Sequence, residues 1–321
     1  MNKINPKLFD HLKEKYYRNL LSPNDEKSYF IAEKGDRAEI ELFKIIKNKI
    51  PKSWILKPNY WIQYSRTNEI DIIIFTGKFV WLVECKNYSG VFEYMDGNCY
   101  RNKKPINNEI SFAQNRKNAI ENILSDNKLN SVPVYSSMIF MDNECDVKND
   151  RDSGIELVMR YRLSRHINEM VQRYQTLPDY FDNLHLEQTI DRYRINHPFP
   201  PKIIPVTLFK EAKTGIHCAI CYSYLLKNHY KTIECQDCGY IEYKTEARLR
   251  TTAELGMLFY HDDKILTPKN IVTFSGQVKE KDAFLKSLYR KWPTHSSHRG
   301  VYYHNFGLPY EAIRHKLKKS K

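Results

Sequence analysis

Glu84-Cys85-Lys86 sets a carboxylate and an ammonium one residue apart at the end of an apolar run, Phe79-Val80-Trp81-Leu82-Val83. On an extended strand alternate side chains share a face, so Glu84 and Lys86 point the same way as Val80 and Leu82. A second apolar run, Glu69-Ile70-Asp71-Ile72-Ile73-Ile74-Phe75, precedes it, and Thr76-Gly77-Lys78 between them is a tight-turn signal. Alternation puts Asp71 with Ile73 and Phe75. If the two faces coincide, an Asp, a Glu and a Lys converge at one end of a hairpin. Such groups are costly to bury unless paired or metal-bound. The types suit phosphodiester hydrolysis. Asp71 and Glu84 offer hard oxygen ligands for one or two Mg²⁺ ions, and the Cys85 carbonyl can add another. The metal neutralises charge on the scissile phosphate and helps form hydroxide from water. Lys86 can orient or deprotonate that water, or stabilise the transition state. The plainer reading is an exposed strand end carrying an ordinary Glu–Lys ion pair, worth little; a lone Glu-x-Lys arises by chance in many proteins.

The elements that must position this set follow from periodicity. Residues 7–21 read as an amphipathic helix that ends near Ser22-Pro23. A second helix begins near Ala32 or Gly35 and is stopped by Pro51; on it Glu39 falls in line with Phe43, Ile46 and Ile50, the inward stripe. Residues 54–64 read as a strand or extended segment, 91–94 and 99–101 as short strands, and 111–124 as a helix carrying Gln114. Further strands are expected at 132–141 and 155–159. Helices are expected at 163–176 and 182–194, with a loop at Leu177-Pro178-Asp179 between them. His197-Pro198-Phe199-Pro200-Pro201 is a stiff proline-rich connector and marks a domain boundary.

Several strings here resemble the nuclease-related domain (NERD), a branch of the PD-(D/E)xK nucleases. They are Lys34-Gly35-Asp36-Arg37-Ala38-Glu39, Thr67-Asn68-Glu69-Ile70-Asp71, Val83-Glu84-Cys85-Lys86-Asn87-Tyr88-Ser89-Gly90 and Gln114-Asn115. The resemblance covers residues 33 to about 124. It implies an α/β fold with a restriction-endonuclease-like mixed sheet flanked by helices. It also implies an active site of Glu39, Asp71, Glu84 and Lys86 supported by Gln114, with Mg²⁺ or Mn²⁺ as the working ion. Two departures stand out: Ala38 replaces a usual second Gly, and Glu109-Ile110-Ser111-Phe112-Ala113 replaces a usual Asn-Pro ahead of the Gln.

Cys218-Ala-Ile-Cys221 and Cys235-Gln-Asp-Cys238 are two Cys-x₂-Cys knuckles with 13 residues between them. Four thiolates in that arrangement suit a tetrahedral structural Zn²⁺, and Gly239 fits the second knuckle's turn. His217 and His229 are not needed as ligands, because no Cys is missing. A small hairpin is expected around the site, and its role is structural, since metal binding supplies folding free energy to so small a unit. Cys85, Cys99 and Cys145 read as ordinary small apolar or surface residues.

The chain is expected to comprise a nuclease domain over residues 1–200, a zinc ribbon over 201–243 and a helical module over 244–321. The last has helices at 244–259, 268–275 and 278–290, Thr267-Pro268 as a helix start, and a helix-turn-helix-like character. The arrangement resembles one group of bacterial NERD proteins. Tyr302, Tyr303, His304 and Phe306 can stack on bases, though such aromatics are more often core. With 51 Lys and Arg against 38 Asp and Glu, the net charge of +13 points to an anionic partner, nucleic acid by default. The run Arg314, His315, Lys316, Lys318, Lys319 and Lys321 adds a basic tail suited to phosphate contact. No apolar run reaches 18 residues and no secretory leader is visible, so a cytoplasmic location without structural disulfides is expected. The reading is a Mg²⁺-dependent DNA endonuclease or nickase. Two rivals remain: a non-catalytic DNA-binding or regulatory protein on a nuclease-like fold, and an RNA-directed nuclease.

Overall fold

The computed structural model describes residues 6–149, 153–178, 181–289, 291–292, 294 and 300–305. The basic run from Arg314 to Lys321, Phe306 and the loop residue Asp179 lie outside the described residues. The chain divides into two compact units: Ile31–Asn196, and Met1–Phe30 together with His197–Lys321. We call these the sheet unit and the cysteine unit.

The chain opens with helices α1 (Leu8–Tyr17) and α2 (Pro23–Lys49). The second is one continuous helix that begins earlier than periodicity suggested, because Pro23 is suited to a first helical turn. Strands β1 (Ile55–Tyr64), β2 (Arg66–Phe75) and β3 (Val80–Lys86) follow, then β4 (Gly90–Met95), β5 (Asn98–Arg101) and β6 (Lys104–Pro105). Helix α3 (Glu109–Asp126) leads to β7 (Val134–Phe140), β8 (Cys145–Asn149) and β9 (Glu156–Met159), then α4 (Leu163–Thr176) and α5 (Asn183–Asp191).

The main sheet has the order β1-β2-β3-β7-β9; the first three strands are antiparallel, and β3, β7 and β9 are parallel. Helices cover both faces, as a mixed sheet with apolar strands requires. On one face Ile73, Phe75, Val80 and Leu82 pack with Ile120 and Ile123 of α3 and with Leu186 and Ile190 of α5. On the other, Ile72, Ile74, Trp81 and Val83 pack with Leu42 and Ile46 of α2 and Ile167 and Met170 of α4. A smaller sheet, β6-β5-β4-β8, closes a third core around Phe92, Phe140 and Ile110. The fold class is therefore mixed α/β, with sheets flanked by helices.

The β2–β3 turn is the one the sequence signalled. Thr76 Oγ1 accepts from the backbone N–H of Phe79 at 2.9 Å, and Gly77 has φ +77°. A Cβ there would meet the Phe181 carbonyl at 2.3 Å, so only glycine fits.

In the cysteine unit, β10 (Leu226–Asn228), β11 (Thr232–Cys235) and β12 (Ile241–Tyr243) form a small antiparallel sheet. Helices α6 (Lys244–Leu258), α7 (Pro268–Ser275) and α8 (Lys281–Tyr289) follow. Helix α6 is buried continuously from Ala247 to Leu258 and forms the centre of this unit. Thr267 caps α7, its Oγ1 accepting from Asn270 N–H at 3.1 Å, with Pro268 behind it. Tyr303 is buried in the same core. Residues 6–30, assigned from sequence to the nuclease domain, group with this unit.

Candidate active site and metal centre

β2 and β3 pair from Phe75↔Val80 to Ile72↔Val83, and Asp71 and Glu84 are the residues next to that last pair on their strands. Glu84 is buried and Lys86 half-buried. Lys86 Nζ lies 2.8 Å from Glu84 Oε1 and 2.9 Å from Glu109 Oε2. This is not the solvated strand-end pair of the plainer reading. Asp71 Oδ2 accepts the Cys85 backbone N–H at 2.7 Å, which ties it to the middle of the Glu-x-Lys unit. Ile70 and Ile73 share one core while Ile72 belongs to the other, so strict alternation fails around Asp71. Asn59 of β1, flanked by the Pro58↔Ile72 and Tyr60↔Ile70 pairs, has φ +50°.

Asp71 keeps some exposure as a residue, but its carboxyl is enclosed. Burial, then the neighbouring charges of Glu84 and Glu39, push it well above the usual carboxylate range against the opposing pull of Lys86. Burial works against charge on Lys86 as well. There Glu84, Glu109 and Asp71 prevail and hold the ammonium protonated. Glu39, half-buried on α2, bears on Asp71 and on Cys85 through its charge.

Gln114 sits on α3, whose start is fixed by Asn108 accepting Ser111 N–H at 3.0 Å. Its amide donates to the Ser153 carbonyl at 2.7 Å. Two α3 residues that periodicity did not single out approach the set: Glu109, which also accepts from the Tyr88 hydroxyl at 3.2 Å, and Arg116. Arg116 Nη1 is 3.0 Å from Glu84 Oε2, is buried, and makes no hydrogen bond. Among the described residues, Glu39, Asp71 and Glu84 do not bring three ligand atoms within 4.8 Å of one another.

The four cysteines do converge. Their sulfurs all lie within 4.8 Å, with Cys218–Cys238 at 3.6 Å and Cys221–Cys235 at 3.4 Å. A tetrahedral ion at about 2.3 Å from each sulfur separates them by roughly 3.8 Å, so the cage has the size for one. The knuckle turns are closed by Tyr222 (φ +61°) and Gly239 (φ +70°), and Ile220 N–H points at Cys218 Sγ at 3.4 Å. Burial raises the Cys235 thiol, but the backbone N–H groups of Cys238 and Asp237 outweigh it and bring it to about 7. Burial instead raises Cys218 and Cys221, the latter to about 12, so Cys235 is the one of these three thiols that ionises most readily. His229 pairs with Glu234 at 2.8 Å and stands apart from the cage. The other cysteines are inert by burial: the Cys145 thiol is pushed up to about 11, and Cys85 and Cys99 are raised too.

His217 joins a different cluster. Glu14, Arg18, Glu242, Arg250 and Glu254 are all buried with it. Arg18 donates to Glu14 at 2.8 Å and to Glu254 at 2.9 Å, and Arg250 donates to Glu254 at 2.5 Å and to Glu242 at 2.9 Å. Glu14, His217 and Glu254 also bring three ligand atoms within 4.8 Å, but the guanidinium of Arg18 is the resident cation between the two carboxylates.

With this geometry in place, the match to a family model agrees with the resemblance. Residues 34–141, from α2 to just past β7, match the model of the nuclease-related domain (NERD). A solved structure, the crystal structure of protein VC1899 from Vibrio cholerae, is similar at 12% identity and a TM-score of 0.24. That alignment covers 43% of this chain and 32% of that one, so it spans about a third of that protein's length. No curated protein matches. No helix of the described residues is long and apolar enough to cross a membrane.

Proposed function

We propose that this protein is a metal-dependent nuclease that hydrolyses phosphodiester bonds in DNA. The observation that carries the reading is the Asp71–Glu84–Lys86 set, in which burial and then the charges of Glu84 and Glu39 raise the Asp71 carboxyl well above the usual carboxylate range, a rise that a bound cation would oppose. The donor set is all hard oxygen, Asp71 and Glu84 with the Cys85 carbonyl beside them, which suits Mg²⁺ or Mn²⁺. When bound, the ion supplies charge neutralisation at the phosphate and a lowered pKa for its water. Glu39 enforces Asp71's demand for a cation. Lys86, permanently charged, steadies the non-bridging phosphate oxygens. Glu109 and Tyr88 hold Lys86 in place. Gln114 anchors α3 to the Ser153 loop and so positions the helix that covers the site. In the cysteine unit, Cys218, Cys221, Cys235 and Cys238 hold a structural Zn²⁺.

Supercoiled plasmid incubated with millimolar Mg²⁺ tests this. The wild type should nick or linearise it, and Lys86→Ala should do so about 10²–10³-fold more slowly. Cleavage that persists unchanged in both Asp71→Ala and Lys86→Ala places the chemistry elsewhere. One observation favours a second reading, a nucleic-acid-binding protein without catalysis: Glu84 already has Lys86 and Arg116 within 3.0 Å. Binding without cleavage under any divalent ion selects it. Competition between labelled DNA and RNA separates the DNA substrate from an RNA one.

A further inference from the structure

The cysteine unit has an open cleft between α1 and the first knuckle, about 540 Å³ in volume. That is within the roughly 300–1,000 Å³ of small-ligand sites. Four tyrosines line it, Tyr16, Tyr17, Tyr222 and Tyr224, together with Lys213 and Asn19, and no Asp or Glu does. Tyr17 and Tyr222 stack on each other at 4.3 Å and 13°. Tyr16 stacks on buried Tyr29 at 4.6 Å and remains 37% exposed. Lys213 is exposed, its Nζ 4.0 Å from the centroid of the Tyr224 ring, and it pairs with no carboxylate among the described residues.

The walls are fixed. The Tyr224 hydroxyl donates to the Tyr17 carbonyl at 3.1 Å. Buried Arg18 holds the loop that carries Lys213 by donating to the Lys213 and Gly215 carbonyls at 3.1 and 2.6 Å. A rigid cleft lowers the ordering cost of binding. Aromatic walls with no carboxylate in the lining, beside an exposed ammonium that pairs with no carboxylate among the described residues, fit a ligand that joins a flat ring to a phosphate. The net charge of +13 attracts such a polyanion from a distance.

We propose that this cleft binds single-stranded nucleic acid, taking one unpaired base against Tyr16 and its phosphate on Lys213. A duplex has its bases stacked inside and offers only its backbone, whereas a single strand presents ring faces to aromatic walls. This contact belongs to the cysteine unit and is separate from any cleavage by the sheet unit.

The test uses the full-length, zinc-loaded chain carrying Asp71→Asn, without added Mg²⁺, so that the oligonucleotides survive. Anisotropy is measured with a labelled oligothymidine of about 15 nucleotides and with a blunt duplex of equal length. The single strand should bind more tightly. Lys213→Glu and Tyr16→Ala should each weaken it about tenfold, with zinc content and melting temperature retained, and Tyr16→Phe should bind as the parent does. Lys213→Gln, an exposed change that leaves the fold alone, should lower the salt slope by about 0.7. The inference is overturned if the Lys213 variants and Tyr16→Ala all bind the oligothymidine within about twofold of the parent, or if duplex binding falls as much as single-strand binding. Failure to cleave plasmid leaves this readout untouched, so the two proposals fail separately.

Discussion

Each unit buries a cluster of carboxylates and cations, and the two are finished differently. In the cysteine unit, Glu14, Glu242 and Glu254 face Arg18 and Arg250, with His217 among them. Burial opposes ionisation of Glu14, yet His217 and Arg18 outweigh it and hold the carboxyl at about 2. In the sheet unit, Lys86 and Arg116 are both drawn to Glu84, and Asp71 is left facing Glu84 and Glu39. Its carboxyl rises where that of Glu14 falls. In the first, closed cluster the carboxylates face the cluster's own guanidinium groups. A cluster in which burial and like charges raise a carboxyl creates a place for an outside cation. Strained electrostatics of this kind collect where binding or catalysis occurs, and here they fall within the residues that match the nuclease-related domain model.

Removing the central cation of the closed cluster should have the largest effect. Arg18→Met leaves Glu14 and Glu254 buried without their shared partner, and should cost about 3–5 kcal/mol by chemical denaturation. A loss under about 1 kcal/mol would mean that the cluster is not held by charge. The same variant should also loosen the Lys213–Gly215 loop, visible as faster hydrogen exchange there.

Opposite signs are expected from two matched neutralisations. Glu14 has a lowered pKa, so its stabilising effect is complete above the unfolded value, about 4.3, and fades as pH falls towards about 2. Glu14→Gln should therefore destabilise at neutral pH and approach the wild type in acid. Asp71 has a raised pKa, so ionising it costs the folded state increasingly as pH climbs above about 3.9. Asp71→Asn should therefore stabilise the metal-free protein at neutral pH, by about 1 kcal/mol, and match the wild type near pH 3. Calorimetric melts across pH check both, and equal signs would erase the distinction between the clusters.

A smaller effect concerns the proton itself. Since a cation must displace it from Asp71, Mg²⁺ affinity at limiting metal should rise with pH and level off once Asp71 ionises in the free protein. A flat profile between pH 5 and 8 contradicts the assigned ligand; titration calorimetry in buffers of different ionisation enthalpy gives the released proton directly.

The sequence made the open cluster legible and hid the closed one. Glu84 and Lys86 share a face because they are two apart on a strand, a rule that needs no tertiary information. The four cysteines announce themselves by spacing, and Thr267-Pro268 by capping chemistry. Glu109 and Arg116 were invisible because their role depends on where α3 crosses the sheet. The face change around Asp71, with Asn59 opposite at positive φ, likewise lies outside any alternation rule. The closed cluster draws its members from α1 and the Arg18 that follows it, from β12 and α6, and from the residue before Cys218. Glu14–Arg18 and Arg250–Glu254 read in sequence as ordinary surface pairs four residues apart on helices. Only packing shows that these pairs are buried, because α6 carries its charges into a core.

The central claim is that the Asp71 cluster is electrostatically unfinished until a divalent cation arrives. Melting the wild type and Asp71→Asn side by side, with and without millimolar Mg²⁺, tests it most directly. The account predicts that Asp71→Asn melts higher without metal and does not respond to it, while Mg²⁺ raises the wild type. A wild type that melts higher without metal and is indifferent to Mg²⁺ would contradict it.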